Sequence, residues 1–202
     1  VTKFEDKIVL ASASARRRWM FEEMGIPFEV VPAGIDEVSL PDETPVEFAT
    51  RAAGEKGLAV ATRLEREGRR PWIVSADTVV VAGSEILTKP ADRRDARSMI
   101  ERLSGRTHTV VTGWAAGRFS GRWISEHSET RVTFHRLSGE EMDRYIATGE
   151  GMDKAGAYAI QKIGSFLVDR IDGDYFNVVG LPISRVVRTL VELGALEGYP
   201  TP

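Results

Sequence analysis

The chain has no cysteine among its 202 residues, and only three histidines. The first absence excludes a disulfide, a thiolate nucleophile, a Cys-ligated zinc and an iron–sulfur cluster. The second removes most of the remaining zinc chemistry. His108, His127 and His135 show neither the His-Glu-x-x-His pattern nor tight metal-ligand spacing. Any metal must then rest mainly on carboxylates, which selects a hard divalent ion such as Mg²⁺ or Mn²⁺. No apolar run reaches the roughly 18 residues a bilayer-crossing helix needs, so no membrane partner is expected. The sequence starts at Val1 without a signal-peptide pattern, and the cytoplasm is the expected location. Lysine is scarce as well, six against 21 arginines, while acids exceed bases by 30 to 27 for a formal charge of −3. That acidic balance, with no basic stripe interleaved with aromatics, argues against nucleic-acid binding through the arginines.

What is present is ordinary for a globular protein, with 42% apolar and 28% charged residues. The length predicts one domain over residues 1–202, or a single core with two lobes. Ile8 to Ala11 reads as a buried strand, Ser12 to Ser14 as capping residues, and about Ala15 to Met24 as a helix ended by Gly25. Phe28 to Val31 is a second strand, followed by an acidic loop from Pro32 to Thr44. Thr44-Pro45-Val46-Glu47 is a capping box with proline at the first helical position, opening a helix to about Glu67. Trp72 to Ser75 and Val79 to Val81 read as strand on either side of Ala76-Asp77-Thr78. Glu85 to Leu87 returns after a turn, and Asp92 to Leu103 is helical. Thr107 to Phe134 predicts a long hairpin turning at Ser120-Gly121. Ser138 to Glu141 is a second capping box, Ala159 to Val168 reads as short β-like pieces, and a last helix follows Leu181-Pro182. Helices alternating with strands around a hairpin predict an α/β fold with a mixed twisted sheet and flanking helices.

Four local patterns carry chemistry. Ser12-Ala13-Ser14-Ala15 leads from a strand into Arg16-Arg17-Arg18 at a helix start. Amide hydrogens, hydroxyls and guanidiniums together suit a phosphate, although the same pattern fits a capped helix with a solvated basic face. Asp77 sits between two apolar runs, where a lone carboxylate is costly unless paired, hydrogen-bonded or metal-bound. It reads as lying at a strand's carboxyl end, where open α/β sheets place ligands, and the tight flanking by two apolar runs favours a site over a turn-forming Asp. Lys89-Pro90 would aim a lysine from a fixed backbone, but its local pattern favours an ordinary surface lysine, and Glu37 and Lys56 likewise look locally like solvated charges. Met152 to Gln161 is rich in small residues and ends in an amide, suited to a base edge or to a tight packing corner.

Together these segments resemble the Maf family of nucleoside triphosphate pyrophosphatases. The matching pieces are Leu10 to Arg17 (Leu-Ala-Ser-x-Ser-x-Arg-Arg), Glu37, Asp77 to Val80, Lys89-Pro90, Ser104 to His108, Asp153 to Gly156 and Asn177 to Pro182. The resemblance runs from about Ile8 to Leu193. Gly156 to Gln161 (Gly-Ala-Tyr-x-Ile-Gln) is similar to the dTTP/UTP pyrophosphatase subgroup. Ala15 and Thr88 stand where the family usually has proline and glycine, and Ala13 and Ala159 replace frequent glycines. The resemblance implies two lobes around a cleft, similar to inosine triphosphatases. It also implies a divalent cation, a homodimer, and cleavage of a nucleoside triphosphate into monophosphate and pyrophosphate. Within it, positions matching Arg16, Thr78 and Gln161 bear on substrate choice, and the one matching Asp77 on proton abstraction.

On this reading Ser12, Ser14, Arg16, Arg17, Thr78 and Gln161 bind substrate. Lys56, Lys89 and Asp77 are catalytic, and Glu37 and Asp77 are metal ligands. Charge neutralisation and an oriented water are what such a hydrolysis demands. Uracil and thymine present acceptor, N–H and acceptor along one edge, so Gln161 can accept from N3–H and donate to O4. Cytosine fails that pairing. The competing expectation is a nucleotide-binding regulator of cell division or septum formation with little catalysis.

Overall fold

The computed structural model describes residues 8–36 and 38–199. Glu37, the expected second metal ligand, lies outside the described residues. Along the chain come β1 (Ile8–Leu10), α1 (Ala15–Glu23), β2 (Phe28–Val30), α2 (Pro45–Arg66), β3 (Trp72–Ala82), β4 (Glu85–Leu87) and α3 (Arg93–Leu103). Then follow β5 (Thr107–Gly117), β6 (Trp123–Phe134), α4 (Gly139–Thr148), β7 (Val168–Asp172), α5 (Tyr175–Val179) and α6 (Ile183–Glu192). Two 3-10 segments, Ala155–Ala157 and Lys162–Leu167, lie between α4 and β7.

Local chemistry sets most of these boundaries. Both capping boxes form: Thr44 and Ser138 accept from the Glu47 and Glu141 amides, and each glutamate reaches back to its cap residue. The sheet runs β2-β1-β3-β5-β6-β7, with β4 paired to β3. β1 is parallel to both neighbours, with Ile8 opposite Phe28 and Trp72. A strand enclosed by two parallel partners is buried on both faces, which is why β1 appears as an unbroken apolar run. β4 and β7 pair antiparallel with β3 and β6, so the sheet is mixed, as the alternating pattern implies.

The chain forms two compact units. One comprises Val1–Asp77, Thr112–His127 and Gly180–Pro202, and the other Thr78–Val111 and Ser128–Val179. In the first, Val9, Ala11, Val60, Ala61, Leu64 and Ile73 form a core cluster that joins α2 to β1 and β3. Glycines let α2 approach the sheet closely. A Cβ on Gly57 would lie 2.7 Å from Ser75 Oγ, and one on Gly113 would lie 2.2 Å from the Ala49 carbonyl oxygen. Ser75 Oγ donates to the Ala53 carbonyl at 2.6 Å, fixing the helix to β3.

The second unit packs an aromatic cluster around a buried histidine. His108, Phe134 and Tyr158 meet edge to face at 4.8–5.4 Å between ring centroids. His108 Nε2 lies 2.8 Å from the Tyr158 hydroxyl, while Nδ1 is buried with no hydrogen-bond partner among the described residues. Burial disfavours the imidazolium and lowers the His108 pKa to about 4. The unfolded chain therefore binds a proton near pH 6.5 that the folded chain refuses until about pH 4. The contribution is fully present above about pH 6.5 and is lost progressively down to about pH 4, by roughly 3 kcal/mol in all. Urea unfolding at pH 7.0 and 4.5 should show this fall, and His108→Gln should flatten it. An equal slope in both proteins would rule His108 out as its source.

Three segments differ from the sequence-based expectation. β3 runs unbroken through Ala76-Asp77-Thr78, so Asp77 lies inside a strand and not at its carboxyl end. Residues 159–167 form no strand: their amide hydrogens at Ala159, Ile163 and Gly164 go to side-chain acceptors rather than to a neighbouring strand. Their β-branched residues mimic a strand without its hydrogen bonds. The short α5 was not anticipated; five residues are too few for a periodic signal. It starts where Asp174 Oδ1 accepts from the Phe176 amide at 2.8 Å.

Candidate active site

In the first unit the chain leaves β1 and turns at once into α1. Ser14 is the N-cap, accepting from the Arg17 amide, and Ser12 Oγ accepts from the Ser14 amide at 3.2 Å. No acid occupies the first turn of α1. The three consecutive arginines have three different settings. Arg18 is exposed and lies 3.7 Å from Glu22. Arg16 is half-buried. Arg17 is only 9% exposed, and its guanidinium is committed inward. Its Nε donates to the Gly180 carbonyl at 2.8 Å, and its Nη1 donates to the Ala76 carbonyl at 2.9 Å and to Ser12 Oγ at 3.1 Å. Arg17 thus joins three segments: the end of β1, the peptide just before Asp77, and the start of the closing Gly180-Leu181-Pro182 stretch. A planar fork with several fixed donors suits that task; a lysine cannot reproduce it.

Asp77 lies within β3, which continues unbroken through it to Ala82. It is 4% exposed and Lys56 is 9% exposed. Lys56 Nζ donates to Asp77 Oδ1 at 2.7 Å. The glycine-mediated approach of α2 to β3 is what brings Lys56 within reach of the strand. Neither side chain reads as a solvated charge in this setting. Burying both is expensive unless the pair is retained for a purpose. Asp77 Oδ2 is buried as well and has no hydrogen-bond partner among the described residues. Such an oxygen requires an account, and a water, a cation or a substrate proton would supply one.

The acidic loop before α2 is tied down by Arg51. Its Nε and Nη2 donate to the Glu43 carboxylate at 2.6 and 2.7 Å, and its Nη2 also donates to the Val38 carbonyl at 2.8 Å. That guanidinium lowers the Glu43 pKa to about 2. Among the described residues no group of three His, Asp or Glu side chains is placed to hold a metal.

In the second unit Thr78 is half-buried, directly after Asp77 on β3. Lys89 is exposed and is followed by the buried Pro90. The residue before it is fixed: the Thr88 carbonyl accepts from the Gly156 amide at 3.1 Å. Gly156 adopts φ +67°, and a Cβ there would come within 3.0 Å of Val80. The small-residue motif therefore serves as a close packing corner, and that corner anchors the approach to Lys89. Gln161 is half-buried and immediately precedes the 3-10 segment Lys162–Leu167. Sequence reasoning missed the Gly180 carbonyl, Glu150 and Tyr145 as supports. A backbone carbonyl has no residue signature, and a lone Glu after a helix resembles any surface acid.

The Maf family (Maf-like protein) matches residues 7–193. The chain is 48% identical over 191 residues to a dTTP/UTP pyrophosphatase of Syntrophotalea carbinolica, covering 94% of this chain and 86% of that protein. Identity to a dTTP/UTP pyrophosphatase of Geobacter sulfurreducens is also 48% over 191 residues, covering 94% and 98%. A dTTP/UTP pyrophosphatase of Thermoanaerobacter sp. is 44% identical over 181 residues, covering 89% and 93%. Among solved structures, a HAM1 protein from Coxiella burnetii aligns over 93% of this chain and 99% of its own, at 14% identity and a TM-score of 0.47. With the family match spanning almost the whole chain and relatives at nearly half identity, the chain belongs to the Maf family.

Proposed function

We propose that this chain hydrolyses nucleoside triphosphates, preferring dTTP and UTP, to nucleoside monophosphate and pyrophosphate. The observation that carries this reading is the buried Lys56–Asp77 pair with Oδ2 of Asp77 left over, in a chain whose relatives are named dTTP/UTP pyrophosphatases. Oδ2 is the atom suited to take a proton from the attacking water or to bind a cation, while Lys56 holds Oδ1 and orients the carboxylate. Arg16 and Lys89 are assigned to the triphosphate charge. Ser12 and Arg17 act on the same chemistry from behind, by fixing the peptide next to Asp77. Ser14 contributes as the cap of α1, and Thr78 and Gln161 are assigned to substrate choice.

The cofactor in this reading is a divalent cation, Mg²⁺ or Mn²⁺. Asp77 Oδ2 fits such a hard ion by its chemistry, with Glu37 as the second ligand in the assignment. When bound, the ion supplies charge neutralisation of the triphosphate and of the pyrophosphate leaving group. The reading treats residues 1–202 as one functional domain. A homodimer belongs to the reading on the family resemblance alone, and a cytoplasmic location on the sequence pattern alone. Among the described residues no helix is long and apolar enough to cross a membrane.

A panel of the common ribo- and deoxynucleoside triphosphates with Mg²⁺ or Mn²⁺, read by pyrophosphate release, tests the proposal. Selective turnover of dTTP and UTP with pyrophosphate as first product is the expected result. Equal turnover of all nucleotides removes the specificity, and orthophosphate as first product removes the reaction. Nucleotide binding by calorimetry without product would favour the regulator instead.

A further inference from the structure

The segment that carries Gln161 is held at one end by helix α4 and at the other by the residue just after its C-cap. At its start, the Ala159 amide donates to the Tyr145 hydroxyl at 3.1 Å, and Tyr145 lies on α4. At its end, the Glu150 carboxylate accepts from the Gly164 amide at 2.7 Å and from the Ile163 amide at 3.3 Å. Glu150 follows directly on Gly149, the left-handed residue that terminates α4. Those two amides belong to the first turn of the 3-10 segment, where Gln161 occupies the N-cap position and makes no side-chain cap of its own. Glu150 therefore does the capping that residue 161 would ordinarily do, which releases the Gln161 amide from that duty.

Glu150 is itself fixed at its other polar groups. Its amide donates to Thr148 Oγ1 at 3.1 Å, and its carbonyl accepts from Lys154 Nζ at 2.7 Å. Lys154 thereby connects the Asp153 to Gly156 motif to the support of Gln161. The segment has little room to shift. Lys162, next to Gln161, is held at φ +53°, which non-glycine residues seldom adopt. A Cβ on Gly164 would lie 2.1 Å from the Ala159 carbonyl oxygen, so the two ends of the segment close on each other. Strain of this kind persists only where surrounding bonds over-determine the backbone, and those bonds come from Tyr145 and Glu150.

We propose that Glu150 is the positioning residue for base selection: its carboxylate caps the Lys162–Leu167 turn and so sets where Gln161 meets the pyrimidine edge. This rests on Gln161 reading the base, the assignment made under the proposed function. A reader displaced by about 1 Å loses discrimination steeply, because polar groups at the base edge are left unpaired.

The test compares UTP and CTP turnover by the unsubstituted protein and by Gln161→Ala, Glu150→Ala, Glu150→Gln and Tyr145→Phe. The expected result is that Gln161→Ala and Glu150→Ala each lower the UTP-over-CTP ratio of kcat/KM by about tenfold or more. The double variant should be no worse than either single one. Glu150→Gln retains an acceptor oxygen and should recover most of the ratio. Amide hydrogen exchange at Ile163 and Gly164 should accelerate in Glu150→Ala and not in Gln161→Ala. If Glu150→Ala does not fold, Tyr145→Phe carries the comparison: an intermediate loss is expected, and a normal ratio there beside a lowered one in Gln161→Ala overturns the proposal. A normal ratio in Glu150→Ala beside a lowered one in Gln161→Ala overturns the proposal. A normal ratio in Gln161→Ala overturns base reading by Gln161, and the positioning role falls with it.

Discussion

Asp77→Asn is expected to lower pyrophosphate release by roughly 10³-fold, the scale of losing a positioned proton acceptor. The amide keeps the shape and an oxygen near Lys56, but it can neither take a proton at neutral pH nor bring a negative charge to a cation. The same substitution has a second effect. Lys56 is 9% exposed and loses the carboxylate that now lies 2.7 Å from its Nζ. Removing one member of a buried pair costs about 3 kcal/mol. Lost activity alone is therefore ambiguous between chemistry and folding. Adding Lys56→Met to Asp77→Asn separates them, since the double variant removes the buried ammonium. Urea unfolding should show the double variant more stable than Asp77→Asn, while turnover stays at the Asp77→Asn level. Turnover by Asp77→Asn within tenfold of the native enzyme would show that Asp77 does not take the proton.

The features that local rules govern were legible in the sequence. Thr44 with Glu47 and Ser138 with Glu141 mark helix starts because a capping box is complete within four residues. β1 is legible because double burial leaves only apolar side chains. Asp77 stood out by the cost of an isolated carboxylate between apolar runs. What escaped was whatever depends on distant chain. The Arg17 guanidinium meets the Gly180 carbonyl 163 residues away, so the same Ser-x-Ser-x-Arg-Arg pattern fits a phosphate clamp and an internal tie equally well. Lys56 looked like one more surface charge because its partner lies 21 residues on, across a helix–strand contact. The segment after Tyr158 was misread as strand for the same reason: its amide partners sit on and just after α4, not within its own window.

The helix–strand contact beneath Lys56 leads to the largest expected effect on stability, that of Gly113→Ala. Gly113 lies on β5 against the backbone of α2. A Cβ there would stand 2.2 Å from the Ala49 carbonyl oxygen and 2.4 Å from the Thr50 nitrogen. Both are atoms of the helix main chain, so no rotamer change relieves the overlap. Either α2 lifts from the sheet or β5 buckles, and a tightly packed interior resists both. The expected cost is about 3 kcal/mol or more, at the upper end of overpacking. For a chain of this size that is a fall in Tm of roughly 10 °C. Because α2 also carries Lys56, any lift lengthens the 2.7 Å contact to Asp77, so turnover should fall in the protein that remains folded. Gly68→Ala is the matched control: it has open space around its Cβ, and at φ +75° it pays only the backbone strain of a left-handed residue. If Gly113→Ala unfolds in urea at a concentration no lower than Gly68→Ala, the close approach of α2 to β5 is not what holds Lys56 beside the strand.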